Sequence, residues 1–233
     1  MSVFPHPAFS QAEALFFDFD GTLVDSVPDL ALAINNTLTS LGREPFAEHE
    51  IRQWVGNGPE QLVARALSGS VEIDPALEAS LLESSMATYF GFYERDICVN
   101  TRLYPEVENT LKQLKEKFPM VIITNKTERF VAPILKGLGL DGIFDVILGG
   151  DSLPQRKPNP APLLHAADTL GKTVQQCVMI GDSKNDILAA KAAQMPSVGV
   201  SYGYNYGEPI AVYEPDAVVD DFSTLVPLLG EIA

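Results

Sequence analysis

Two carboxylates stand two residues apart in Asp18-Phe19-Asp20-Gly21-Thr22. In extended backbone their side chains leave from the same face, and Gly21 permits a tight turn directly after them. Carboxylates held so close repel, which raises the proton affinity of one and suits the pair to a nucleophile and a general acid. A further acidic pair lies in Gly181-Asp182-Ser183-Lys184-Asn185-Asp186, while Thr124-Asn125 and Lys157-Pro158 offer hydrogen-bond donors and a cation. A cluster of this kind is costly without a metal, and oxygen ligands with few nitrogens or sulfurs fit Mg²⁺, which brings phosphate oxygens with it. The chemistry that follows is phosphoryl transfer to an aspartate. Asp18 attacks phosphorus in line, and Asp20 protonates the leaving alkoxide and then helps deprotonate the hydrolytic water. Mg²⁺ and Lys157 stabilise the charge on the equatorial oxygens, with Thr124 and Asn125 donating to the same oxygens.

Each of these residues alone has a plainer reading. Asp18 to Gly21 fits a strand-end turn, Thr124-Asn125 a helix cap, Lys157 a surface lysine, and Asp186 an acid at a helix N-terminus. Their placement relative to the strands argues for chemistry. Apolar runs at 14–18, 121–124, 144–148, 177–180, 198–200 and 217–219 are continuous and do not alternate with polar residues. That marks strands covered on both faces of a parallel sheet. Between them lie helical patterns at 105–117, 127–138 and 160–170, the last stopped by Gly171. The alternation predicts an α/β fold with a doubly wound, mostly parallel sheet, in which ligands bind at the carboxyl ends of the strands. The four segments follow those ends.

From about Asp25 to Cys98 the alternation stops and only helical patterns remain. One opens at Ser26-Val27-Pro28, with Leu30, Ile34, Leu38 and Leu41 on a face and Gly42 at its end; others span 48–55, 59–67 and 75–93. The expected organisation is a core segment over 1–24, an inserted all-helical cap domain over 25–98, and a second core segment over 99–233.

The chain has 233 residues, 46% of them hydrophobic, with 16 Lys+Arg against 31 Asp+Glu for a net charge of −15. That is enough apolar material for a packed core. The acidity argues against nucleic acid or an anionic membrane as partner, because phosphate backbones are bound by Lys and Arg. The expected partner is a small phosphoester, met by a monomer or small homo-oligomer. Two cysteines, Cys98 and Cys177, make no disulfide framework. The opening Met1-Ser2-Val3-Phe4-Pro5-His6-Pro7 has neither a basic stretch nor a long apolar run, so the expected location is cytoplasmic. Gly137-x-Gly139-x-x-Gly142 matches a dinucleotide fingerprint in letters, but follows a helix and precedes a strand, the wrong context.

The four segments, Asp18-x-Asp20-Gly-Thr, Thr124-Asn125, Lys157-Pro158 and Gly181-Asp182-Ser-x-x-Asp186, resemble the ordered motifs of the haloacid dehalogenase-like hydrolases. The helical insert is similar to that family's cap, and the core is similar to its Rossmann-like domain. The resemblance implies Asp18 as nucleophile and Asp20 as acid/base. It also implies Asp18, the Asp20 carbonyl and Asp182 as Mg²⁺ ligands, with Asp186 and Thr22 supporting them from behind. Retention of Asp20 separates the chain from the dehalogenase branch. Four stretches, 17–26, 54–58, 121–126 and 202–207, narrow the likeness further, and the substrate it implies is 2-phosphoglycolate.

Val55-Gly56-Asn57-Gly58-Pro59 falls between two expected cap helices. Pro59 fits a first helical turn, and open N–H groups there suit a carboxylate. Gly56, Asn57 and Gly58, aided by Arg52 or Arg65, are the candidates to close over the carboxylate of the substrate. A structural turn fits the same residues equally well. The same core also leaves room for a phosphatase or phosphomutase acting on another small sugar phosphate, or for a non-catalytic regulatory module.

Overall fold

The structure, a computed structural model, describes residues 5–230; the first four residues of the opening segment, on which the expected location rests, lie outside it. In chain order the elements begin with β1 (Ala14–Phe17), β2 (Val24–Asp25), α1 (Val27–Ser40), α2 (Glu48–Arg52), α3 (Pro59–Ser68), α4 (Ala79–Arg95) and β3 (Arg102–Leu103). They continue with α5 (Val107–Lys115), β4 (Met120–Ile123), α6 (Val131–Gly137), β5 (Val146–Leu148) and α7 (Ala161–Thr169). The last are β6 (Cys177–Gly181), α8 (Lys184–Ala193), β7 (Ser197–Val200), β8 (Ala217–Val219) and α9 (Leu225–Leu229).

Six strands form one parallel sheet in the order β5-β4-β1-β6-β7-β8. The continuous apolar runs are explained by two cores, one on each face. Along β1, Leu15 and Phe17 enter one core while Ala14 and Phe16 enter the other. Met120 and Ile122 likewise part from Val121 and Ile123, and Val178 and Ile180 from Cys177 and Met179. Strand periodicity of two sends neighbours to opposite faces, so every residue of a central strand must be apolar. Each fully buried Phe contributes roughly 1.5–3 kcal/mol. The chain winds from β1 through β4 to β5 on one side, then returns to β6 and runs to β8 on the other. The crevice at this reversal lies beyond the carboxyl ends of β1, β4 and β6, where doubly wound sheets hold ligands.

The helices α1 to α4 leave the sheet after β1 and return before α5. The connection is a two-stranded antiparallel ribbon, Val24 opposite Leu103 and Asp25 opposite Arg102. Buried Asp29 ties the returning strand to α1 by accepting from Asn100 N at 2.8 Å and from Thr101 N and Oγ1 at 2.8 and 2.7 Å. Arg52 clamps the outgoing strand through both carboxylate oxygens of Asp25 at 3.0 and 3.1 Å. The apolar faces of α3 and α4, including Leu62, Tyr89 and Tyr93, join the same core as Leu15 and Phe17.

Several expectations shift in detail. Leu41 lies past the end of α1 and is exposed. The run 144–148 is a strand only from Val146; just before it, Asp145 binds Met120 twice, its N–H donating to Met120 O and its carboxylate accepting from Met120 N, both at 2.8 Å. The pattern at 127–138 divides into a 3₁₀ turn at Glu128–Phe130 and α6, whose first turn holds Pro133. The ribbon of β2 and β3 escapes the periodicity reading because two residues cannot display a period. Among the described residues no helix is long and apolar enough to cross a membrane.

Candidate active site

The crevice gathers acids from separate strand ends. Asp18 directly follows β1 and its N–H donates to Ile180 O at 2.9 Å, which joins β1 to β6 at the rim. Its Oδ1 accepts from Phe19 N at 2.7 Å and pairs with Lys157 Nζ at 3.0 Å. Lys157 also donates to Ile123 O at 2.5 Å and to Asp186 Oδ1 at 2.6 Å. An ammonium has three N–H groups, and these three acceptors use them all. Asp186 sits in the first turn of α8, where Oδ2 accepts from Ser183 N and Oγ at 3.0 and 2.9 Å.

Asp182 follows β6 and is fixed from two sides. Thr22 Oγ1 donates to Oδ1 at 2.7 Å and Tyr204 N to Oδ2 at 2.6 Å. Gly21 has φ +92°, and a Cβ there would collide with this carboxylate. The loop can press against Asp182 only because position 21 is glycine. Gly203 approaches the same carboxylate from the opposite loop under the same constraint.

Asp18, Asp182 and Asp186 each present a carboxylate oxygen within 4.8 Å of the others. Burial pushes the Asp18 carboxyl up to about 7, with Asp186 adding repulsion that Lys157 only partly relieves. Burial, then the charges of Asp18 and Asp186, hold Asp182 well above the usual carboxylate range. Burial pulls Lys157 down, yet the two facing carboxylates outweigh it and hold the ammonium above its ordinary value. Crowded, buried carboxylates served by one lysine form an all-oxygen donor set, and this fits a hard divalent cation.

Asp20 stands apart from that cluster. Its carboxylate accepts from Lys126 Nζ at 3.0 and 3.1 Å and from Ser26 Oγ at 2.6 Å. The carboxylate of Asp20 is thus engaged away from the acid cluster, and any contact of this residue with a metal there would rest on its main-chain carbonyl. Thr124 Oγ1 accepts from Lys126 N at 3.2 Å. Asn125 faces the cap: Nδ2 donates to Gly56 O at 2.9 Å and to Lys157 O at 3.0 Å, and its buried Oδ1 has no partner.

The glycine turn docks onto the core through a carbonyl. Gly56 O accepts from Asn125 and, at 3.0 Å, from Asn185 Nδ2. Gly56 and Gly58 have φ of +123° and +90°, so the turn needs glycine at both places. Arg65 supports the turn from within the cap. It donates to Trp54 O at 2.7 Å and to Asn57 Oδ1 at 2.9 Å, and Tyr206 OH donates to that same oxygen at 2.9 Å. With Arg52 held by Asp25 and Glu48, neither arginine lines the crevice.

Four contributors were not singled out as site residues by the sequence reading: Lys126, Ser26, Asn185 and Gly203. Lys126 directly follows Thr124-Asn125 and is buried, but nothing in the sequence around it marks that burial. Gly203 lies in the Tyr202–Gly207 string, which locks the rim: Tyr202 OH donates to Thr22 O at 2.9 Å and Tyr204 OH to Asp25 Oδ1 at 2.5 Å.

Between the cap helices and the rim lies a cleft. Asp18, Asp20, Thr124, Asn125 and Lys126 line its polar end, and Leu62, Tyr89, Phe90, Tyr93 and Phe130 line its apolar side.

The family model for haloacid dehalogenase-like hydrolases matches residues 12–194. A phosphoglycolate phosphatase of Colwellia psychrerythraea is 50% identical over 217 residues, covering 93% of this chain and 96% of that one. One from Psychrobacter arcticus is 48% identical over 219 residues, covering 93% and 95%. The crystal structure of a predicted phosphoglycolate phosphatase from Haemophilus somnus 129PT superposes with a TM-score of 0.87 at 39% identity, covering 92% of this chain and 96% of that one.

Proposed function

The chain belongs to the haloacid dehalogenase-like hydrolases, and from that membership we infer that it is a phosphoric monoester hydrolase converting 2-phosphoglycolate to glycolate and phosphate. The observation that carries the chemistry is the meeting of Asp18, Asp182, Asp186 and Lys157 on the rim beyond the carboxyl ends of β1, β4 and β6. The substrate reading is supported by curated relatives of that name at up to 50% identity over nearly their whole length. Residues 25–98 act as the cap that closes over it. The two free thiols support a cytoplasmic setting.

Asp18 Oδ1 is held by Phe19 N and Lys157, which leaves Oδ2 without a hydrogen bond among the described residues. Oδ2 attacks phosphorus, the bond to the glycolate oxygen breaks, and an aspartyl-phosphate forms. Asp20, steadied by Lys126 and Ser26, protonates the departing alkoxide. A water then attacks the aspartyl-phosphate and gives its proton to Asp20, which returns both residues to their first state. Lys157 holds its charge beside the phosphoryl oxygens throughout. Asp18, the Asp20 carbonyl and Asp182 would hold Mg²⁺, which supplies positive charge to the phosphoryl group; Asp186 and Thr22 brace the lysine and Asp182. The docked cap keeps water out while the alkoxide leaves.

The test is phosphate release from a panel of small phosphomonoesters with Mg²⁺ and with EDTA. Selective, Mg²⁺-dependent turnover of 2-phosphoglycolate is expected. Preference for a different ester would overturn the substrate reading and leave the chemistry standing.

A pH dependence follows from Asp18. Its folded value near 7 lies above the ordinary 3.8. The protonated form is thus the favoured one, and that contribution to stability is present below about pH 4 and lost as pH rises through about 7. A divalent cation offsets the ionised form. Mg²⁺ is therefore expected to raise Tm by about 3 °C or more at pH 8 and by much less at pH 5. Equal shifts at both pH values, measured by scanning fluorimetry, would contradict a metal seated on these carboxylates.

A further inference from the structure

Lys126 is the one cation among the residues lining the cleft. Its ammonium is nearly buried, donates to both oxygens of Asp20 at 3.0 and 3.1 Å, and lies 4.9 Å from the centre of the Tyr93 ring. Of three N–H groups, two face Asp20, and the third has no acceptor among the described residues. The Tyr93 hydroxyl, on a residue of the same wall, is also buried without a partner. A nearly buried ammonium with a spare donor at the polar end of the cleft is placed to serve an anion.

The position of that anion follows from the reaction. If Asp20 protonates the leaving oxygen, that oxygen lies within about 3 Å of the Asp20 carboxyl. In 2-phosphoglycolate a single methylene separates it from the carboxyl carbon, so the carboxylate must lie in the shell of space immediately around Asp20. Lys126 Nζ occupies that shell. Arg65, the other candidate, is occupied by Trp54 O and Asn57 Oδ1 and does not line the cleft.

We propose that Lys126 is the specificity-determining residue that binds the carboxylate of the substrate, using the donor that Asp20 leaves free. The proposal rests on the phosphoglycolate reading above and adds the group that recognises the second anion. It accounts for selection of a two-carbon acid: a longer chain would carry the carboxylate past Lys126, and a neutral ester would leave the third N–H of the ammonium without a partner.

Binding of two unreactive ligands separates this role from any effect on proton transfer. 3-Phosphonopropionate carries the carboxylate at the spacing of the substrate, and propylphosphonate lacks it. In the presence of Mg²⁺ the wild-type protein is expected to bind the first about 10–100-fold more tightly, the range of one charge-assisted hydrogen bond. Lys126→Met is expected to bind both with the affinity that wild type shows for propylphosphonate, and Lys126→Arg to keep most of the preference. If wild type discriminates and Lys126→Met discriminates equally, Lys126 is not the carboxylate site. If wild type binds the two alike, the phosphoglycolate reading fails and this proposal with it. Should Lys126→Met not fold, Lys126→Gln replaces it under the same expectations, because its amide keeps a hydrogen bond to Asp20 while removing the charge.

Discussion

Asp18→Asn is expected to lower turnover of 2-phosphoglycolate by at least about 10⁴-fold while leaving the protein folded. Asparagine preserves the shape of the side chain and can still accept from Phe19 N, the contact that fixes Asp18 at the end of β1. Its neutral amide is a poor nucleophile toward phosphorus, so the route through an aspartyl-phosphate closes. Stability should move the other way. Aspartate at this position has a folded value near 7 against an ordinary 3.8. Its protonated form stabilises the fold below about pH 4, and that advantage is lost as pH rises through 7. Asparagine never ionises and avoids the loss. Without metal, the variant is therefore expected to melt about 2–4 °C above wild type at pH 8, by less at pH 5, and to match it only near pH 4. Turnover within tenfold of wild type would show that another group attacks phosphorus. A lower melting temperature at pH 8 would show that ionised Asp18 is supported by contacts other than Lys157 and Phe19.

Much of this was legible before any coordinates, for physical reasons. The central strands announce themselves because Ala14–Phe17, Met120–Ile123 and Cys177–Gly181 feed two cores at once and cannot alternate with polar residues. Asp18, Asp182 and Lys157 are legible because each follows a strand, and strand ends of a doubly wound sheet share one rim. Contacts made across long stretches of chain were less legible. Lys126 is 106 positions from Asp20, and nothing local in Thr124-Asn125-Lys126 says that the lysine turns back toward the first loop. Gly203 reads as a loop glycine until Asp182 is seen against it. Arg65 fails in the opposite direction. Its charge and position near a glycine turn suited a substrate ligand, but the turn has carbonyls of its own to satisfy and Trp54 O takes the guanidinium. A buried backbone acceptor is costly to leave unpaired, and a single sequence does not show which carbonyls will be buried.

Lys157→Met is expected to damage stability and activity together, in contrast to Asp18→Asn. Lys157 is 3% exposed and is the only cation paired with Asp18 and Asp186 among the described residues. Methionine fills similar space, so packing is preserved and the loss is mainly electrostatic. Removing one partner of a buried ion pair costs about 3–5 kcal/mol because the opposite charge remains buried. For a chain of this size that corresponds to a fall in Tm of roughly 10 °C. Ile123 O loses its donor as well. The effect should depend on pH. Lys157 in wild type is held above its ordinary value, so it stays charged throughout pH 5–8 and its contribution there is constant. Without its pull, Asp18 rises further above about 7, is neutral at pH 5, and meets its full cost of ionisation only at higher pH. The drop in Tm should accordingly be larger at pH 8 than at pH 5, and Mg²⁺ should recover part of it at pH 8. Turnover is expected to fall by about 10³-fold even where the variant is folded, because among the described residues no other side-chain cation is paired with the attacking carboxylate. A drop in Tm independent of pH would point to lost packing as its cause. Retained turnover would remove Lys157 from the phosphoryl site and leave it as the brace between Asp186 and the end of β4.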